Sequence, residues 1–123
     1  MILQEFDEAL LEAIDFAFYS LGRSCRRALY FHLKTTFHLP RRQIPKKVEE
    51  FDEALRMIFK IGAVFLEKLI LVKLCEMLKL ELVEGGAVDF VESISMIRGF
   101  YLSSVVLISD SSEITSTAKR TRR

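Results

Sequence analysis

The feature that most constrains the fold is a twenty-residue apolar segment from Ala63 to Leu82, which reads AVFLEKLILVKLCEMLKLEL. Its six charged residues are spread around the axis of a helix, whereas an ordinary surface helix keeps its charges on one side. A helix that is apolar on most sides is usually buried, yet six charges are too many for a segment that crosses a bilayer. The segment therefore predicts the central helix of a bundle, which a second copy of the chain can share.

Before this segment lies a properly amphipathic helix, predicted from about Lys46 to Lys60. Pro45 suits its first turn, where the missing N–H costs nothing, and Gly62 is the expected break before the central helix. The apolar positions of this helix recur at helical spacing on one face. They are Val48, Phe51, Leu55, Ile58 and Phe59.

Two further helices are predicted nearer the start of the chain. The first runs from Leu3 or Gln4 to Leu21 and ends at Gly22; the second runs from about Ser24, as N-cap, to Phe37. The expected inner face of the second helix is Cys25, Ala28, Leu29, His32, Leu33 and Thr36. This periodicity predicts His32 as a buried, hydrogen-bonded histidine, with a ligand or phosphate-accepting role as the alternative.

A fifth helix is predicted after the Gly85-Gly86 turn. Asp89 is its expected cap, with Glu92 as a capping-box partner, and Gly99 is its expected end. The residues 100–108 (FYLSSVVLI) favour extended structure, although they can also continue the helix or pair with another chain. The polar, basic residues 109–123 are expected to form a poorly ordered tail.

These elements predict an all-α fold, a four- to five-helix bundle built from two helical hairpins plus a C-terminal helix. We divide the chain into a helical bundle domain, 1–99, and a C-terminal extension and basic tail, 100–123. The motif EFDEAL occurs at Glu5–Leu10 and again at Glu50–Leu55, in agreement with two related hairpins. Half of the residues are hydrophobic, and this excess favours an oligomer interface, so we expect a homo-oligomer; a core rich in the ten phenylalanines is the alternative explanation of the excess.

Charge is distributed very unevenly, although the net charge is only +1. The 33 residues from Phe16 to Val48 contain eight Lys or Arg residues and no acid. Three interpretations stay open: a nucleic-acid site, a docking face for an acidic protein partner, and neutralisation by the acidic helices of the same chain. The candidate binding residues are Arg23, Arg26, Arg27, Lys34, Arg41, Arg42, Lys46 and Lys47.

The sequence contains no recognisable catalytic motif. There is no glycine-rich phosphate loop, nucleophile elbow or zinc signature, so we expect neither an enzyme nor a bound metal or cofactor. Cys25 and Cys75 are too few for a disulfide framework, and reduced thiols are the norm in the cytoplasm. The acidic N-terminus is unlike a secretory signal, and we expect a cytoplasmic protein without a membrane segment.

Between residues 20 and 78, the sequence SLGRSCRRALYFHLKTTF, then IP, then EEFDEALRMIFKIGAVFLEKLI resembles a known family. It is similar to the Nitrosopumilus output-domain family of small all-helical archaeal proteins without an assigned activity. The residues that carry the resemblance are Leu21, Gly22, Ser24, Tyr30, Phe31, His32, Leu33, Phe37, Ile44, Pro45, Phe51, Ala54, Leu55, Ile58, Phe59, Gly62, Ala63 and Glu67.

The resemblance implies an output or adaptor module and carries no catalytic residues with it. The chain departs from the family pattern at Lys60-Ile61, in its basic second helix and in its last 24 residues. We therefore expect a non-enzymatic regulatory or protein-interaction module that forms a dimer, with a nucleic-acid-binding protein as the alternative.

Overall fold

A computed structural model describes the backbone of residues 2–80 and 89–110 and the side chains of 4–80 and 89–103. Within these ranges the chain is all-helical, which confirms the predicted fold class. Two short 3₁₀ helices, Arg41–Lys46 and Lys60–Gly62, connect longer elements. The α-helices are α1 (Ile2–Tyr19), α2 (Arg23–Thr36), α3 (Val48–Phe59), α4 (Ala63–Leu78) and α5 (Phe90–Asp110).

The centre of the bundle is the pair α1 and α4, which pack against each other more extensively than any other two elements. The two helices contribute Phe6, Ile14 and Phe18 from α1 and Ile70 and Leu74 from α4, all fully buried. α4 is therefore buried in the core on one side only, whereas the sequence predicted burial on most of its sides. Its other side lies at the surface and still carries apolar residues.

Aromatic side chains connect the helices across this core. The ring of Phe18 on α1 lies 5.1 Å from Tyr30 on α2 and 6.3 Å from Phe51 on α3, measured between centroids. Phe51 in turn lies 6.2 Å from Phe90 on α5. Each such pair contributes about 0.5–1.5 kcal/mol beyond its burial, so the aromatic residues help to fix how the four helices are arranged.

The helix ends depart from prediction at several positions. Pro45 lies inside the 3₁₀ helix Arg41–Lys46 and α3 begins at Val48, so Pro45 is not in the first turn of α3 as predicted. Gly22, with φ 118°, is the N-cap of α2, so Ser24 lies inside the helix and is not its cap. Between α3 and α4 the positive φ falls on Lys60 (56°), whereas Gly62 has an ordinary helical φ of −67°. The break between these helices is therefore made by a lysine in a conformation that favours glycine.

The fifth helix is longer than predicted. Asp89 caps it as expected, with its Oδ1 accepting a hydrogen bond from the Glu92 N–H at 2.8 Å. The predicted end at Gly99 is wrong, because α5 continues to Asp110 and the predicted domain boundary falls inside it. Tyr101 packs on Phe6 with 6.0 Å between ring centroids, and this contact with α1 outweighs the local β propensity. Of the predicted tail, 109–123, the first two residues belong to α5, and residues 111–123 lie outside the described residues.

Candidate functional site

The most connected polar group of the basic region is a cluster around Asp15, on α1. Arg41 donates to both carboxylate oxygens, from Nε at 3.2 Å and from Nη2 at 2.6 Å. The Tyr30 hydroxyl donates to Oδ1 at 2.5 Å, and Arg26 Nε lies 3.9 Å from the same oxygen. One carboxylate therefore joins α1, α2 and the 41–46 turn.

The environment of this cluster holds its groups in fixed ionisation states. Burial, followed by the hydrogen bond to Asp15 and its negative charge, raises the pKa of the Tyr30 hydroxyl well above its usual value. The hydrogen bond to Asp15 also raises the pKa of Arg41. Tyr30 therefore remains a neutral donor and Arg41 a cation, as a structural cluster requires.

The Asp15 cluster takes two of the eight candidate binding residues, Arg26 and Arg41, into internal contacts. Asp15 was not among the residues singled out from the sequence, although it is the last acid before the basic stretch. The other six candidates make no ion pair within 4 Å among the residues described by the structure. They are Arg23, Arg27, Lys34, Arg42, Lys46 and Lys47.

An exposed aromatic ring lies among these basic residues. Phe31 on α2 is 68% exposed, and it follows Arg27 by four positions and precedes Lys34 by three. Residues at these spacings share one face of a helix. The outer side of α2 therefore presents an aromatic ring between two cations. The sequence pattern alone predicts this position for Phe31 only when the inner face of α2 is assigned correctly.

His32 does not occupy the predicted core position. Its side chain is exposed, as are those of Ala28 and Thr36, so the inner face of α2 is narrower than predicted. The ring Nδ1 lies 3.0 Å from the Thr36 hydroxyl, and the ring packs edge-on against Phe37 at 5.4 Å. The prediction of a buried histidine is therefore wrong, and only Leu29 and Leu33 of α2 are fully within the core.

A second polar cluster lies between α3 and α4, where Asp52 and Glu67 are both buried. Arg56 Nε donates to both oxygens of Asp52, at 3.2 and 3.1 Å. Glu67 Oε2 is buried and has no hydrogen-bond partner among the described residues. A hydrogen bond between the carboxyls of Glu67 and Asp52 requires a proton held on one of them. Burial, and then the hydrogen bond to Asp52 and its charge, raises the pKa of Glu67 to about 8.

The sequence offered a signal for this buried acid. Glu67 follows Ala63 by four positions and precedes Ile70 by three, and both of these neighbours lie on the buried face of α4. In the described part of the chain, no three His, Cys, Asp or Glu side chains are grouped as a metal site would require. Because the pKa of Glu67 is raised, the buried pair of carboxyls holds a proton near neutral pH. Together with Arg56, the pair connects α3 to α4.

An exposed apolar surface lies where α3 meets α4 and along α4. Phe65 is 75% exposed and Ile61 is 82% exposed, while Val64 and Val72 are about half exposed. Single exposed apolar residues are common, but a continuous row of them on a small protein marks an interaction surface. The surface itself is shallow: the two best-formed depressions, about 290 and 330 Å³, are lined mostly by charged residues and lie elsewhere.

No helix in the described ranges is both long enough and apolar enough to pass through a membrane. Comparison of the chain with models of protein families, with curated proteins and with solved structures gives no match in any of the three. The resemblance to the Nitrosopumilus output-domain family therefore stays a prediction from the sequence.

Proposed function

We propose that the protein is a non-enzymatic protein-interaction module that works as a homodimer in the cytoplasm. The observation that carries this proposal is the exposed apolar surface of α4. A small chain with a complete core on one side of α4 has no folding reason to keep phenylalanine, isoleucine and valine on the other side. The resemblance to an output-domain family, which implies adaptor modules, agrees with the proposal.

The described polar groups also favour an interaction module over an enzyme. Asp15 is already bonded to Arg41 and Tyr30, and its two partners are held in single ionisation states by their surroundings. The Asp52–Glu67 pair is buried, and Asp52 lies at the edge of an open depression of about 330 Å³ whose other lining residues are mostly acidic. Catalysis needs a reactive group beside a place that encloses substrate, and an open depression does not enclose one.

Sedimentation equilibrium between about 1 and 200 µM protein tests the proposal. We expect a dimer of the 14.2 kDa chain and a weaker association constant for Phe65→Ser. The matched control is Phe31→Ser on α2, because its ring is nearly as exposed and lies on another surface. A wild-type chain that stays monomeric over the whole range contradicts the homodimer.

A second candidate function has its own observation in its favour, the outer face of α2. Phe31 between Arg27 and Lys34 combines a ring on which a base can stack with cations that bind phosphates. The six basic residues without ion pairs in the described chain are also available to a phosphate backbone. The number of these basic residues predicts that the affinity for nucleic acid falls steeply as the salt concentration rises.

Fluorescence anisotropy with a labelled single-stranded oligonucleotide across a salt series tests this alternative. We expect Arg27→Glu and Phe31→Ala each to weaken binding at least tenfold if α2 is the site. Lys60→Glu, which changes charge by the same amount and lies between α3 and α4, should leave that affinity within about twofold. Equal losses for Arg27→Glu and Lys60→Glu, or no binding of the wild type at low salt, contradict the nucleic-acid function.

A further inference from the structure

We propose that α4 pairs with α4 of a second copy in an antiparallel arrangement, with the two-fold axis passing beside Val72. This inference rests on the proposed homodimer and specifies its interface. It starts from a row of outward residues along α4 and the 3₁₀ helix before it. The row consists of Ile61, in the 3₁₀ helix Lys60–Gly62, and Phe65, Lys68, Val72 and Glu76, on α4, all of which are exposed.

These positions are spaced by four, three, four and four residues. On a helix with 100° per residue they fall within an arc of about 80°, which is the width of a helix–helix contact. The buried face of α4, with Ile70 and Leu74, lies on the opposite side of the axis. The exposed residues of the row therefore form one continuous face against which another helix can pack.

Charge placement along the row decides the orientation. Lys68 precedes Val72 by four residues, and Glu76 follows it by four. An antiparallel two-fold at Val72 therefore places Lys68 opposite the partner subunit's Glu76, and the symmetry repeats this pair. The same register places Phe65 opposite the partner subunit's Lys79, where a lysine can lie over the ring.

A parallel arrangement lacks this complementarity. It brings Lys68 towards the partner's Lys68 and Glu76 towards the partner's Glu76, and like charges across a helix pair oppose association. Both side chains are accessible for the antiparallel pairing. The Glu76 side chain is 68% exposed beside Lys73, at 3.6 Å, and Lys68 has no carboxylate within 4 Å among the described residues.

The flanks of the row extend the apolar surface to a useful width. On one side the ring of Phe16, from α1, lies 4.6 Å from Lys73 Nζ and is 43% exposed. On the other side Val64 is 53% exposed. A stable dimer needs roughly 1,200–2,000 Å² of buried surface, more than one narrow helical stripe supplies. The flanking residues add apolar surface on both sides of the row.

Charge reversal tests the register. Lys68→Glu and Glu76→Lys should each weaken dimerisation at least tenfold in sedimentation equilibrium, because each creates two repulsive pairs by symmetry. The double variant, Lys68→Glu with Glu76→Lys, restores both pairs in the opposite sense and should return the association constant to within about threefold of wild type. Lys34→Glu on α2 is the control and should not change it. A double variant as weak as the single variants overturns the inference.

Cysteine cross-linking tests the same geometry independently. In a Cys25→Ser background, Val72→Cys should be joined to its counterpart by a short bismaleimide, whereas Phe65→Cys should not. Two residues at position 65 lie about 21 Å apart along the axis of an antiparallel pair with its centre at position 72. Cross-linking of both positions, as a parallel pair predicts, overturns the inference.

The two proposals fail in different ways. A wild-type chain that is monomeric at all concentrations refutes the homodimer and this interface with it. A dimer that weakens in Phe65→Ser but is unchanged in both charge reversals refutes only the register at Val72. If the wild type is a dimer and none of these substitutions changes its association constant, the interface lies outside α4. That result refutes this interface and still agrees with the homodimer.

Discussion

Replacing Glu67 by glutamine should remove most of the pH dependence of stability that arises from the buried carboxyl pair. The Glu67 pKa is raised to about 8 in the folded chain, from an ordinary value of 4.5. Between these two pH values the folded chain holds a proton on Glu67 that the unfolded chain releases. The free energy of unfolding of the wild type therefore falls as pH rises through this window, and it stops falling above about pH 8.

The structure also sets the size of this effect. One pKa unit corresponds to about 1.4 kcal/mol, so a shift from 4.5 to about 8 gives an upper limit of about 5 kcal/mol. Arg56 lies against Asp52 and lowers the pKa of Glu67, and local relaxation on ionisation reduces the cost further. We expect Glu67→Gln to gain about 2–4 kcal/mol relative to wild type between pH 5 and pH 9.

Urea unfolding of wild type and Glu67→Gln at pH 5, 7 and 9 measures this difference. The two proteins should have similar stability at pH 5, since the N–H donor of glutamine replaces the O–H donor of a protonated Glu67. The variant should be the more stable protein at pH 9. Glu12→Gln, on the exposed side of α1, is the control and should run parallel to wild type. A difference between Glu67→Gln and wild type that varies by less than about 0.5 kcal/mol from pH 5 to pH 9 refutes the reasoning.

Three further substitutions have defined outcomes in urea unfolding at pH 7. Asp15→Asn should cost about 1–2 kcal/mol, because it weakens the charge-assisted hydrogen bonds from Arg41 at a partly exposed site; no loss contradicts the role of this cluster. Lys60→Gly should gain about 1 kcal/mol, because φ 56° and ψ −128° are strained for a residue with a Cβ. Gly99→Ala should gain about 0.5–1 kcal/mol inside α5, since the added Cβ meets no atom within 4 Å; destabilisation by either of these two changes contradicts the backbone argument.

Helical periodicity predicted the parts of the fold that depend on local pattern. Phe51 and Leu55 lie in the core as expected, and Asp89 caps α5. Periodicity failed for α2, where the core contact is narrow and His32 lies outside it. It also failed after Gly99, because the extended preference of residues 100–108 is local whereas the contact of α5 with α1 is not.

The polar clusters were the least predictable part of the candidate site. The Asp15–Arg41 contact joins residues that are 26 positions apart, and neither periodicity nor composition specifies such a pair. The Asp15 cluster also changes how the basic stretch is interpreted, because two of its cations, Arg26 and Arg41, make contacts within the chain. The apolar character of α4 was visible in the sequence, but which side faces outward depends on where α1 packs.

The pairing of α1 with α4 also determines when the chain can fold during synthesis. About 60 residues separate the end of α1 from the end of α4, which corresponds to roughly 3–12 s at ordinary elongation rates. During that interval the most apolar face of α1 has been made and its main partner has not. The contact from Tyr101 to Glu5, at 3.1 Å, forms later still. α1 is therefore made well before its main partner, and until α4 has been made only α2 and the 3₁₀ helix Arg41–Lys46 can cover part of its apolar face.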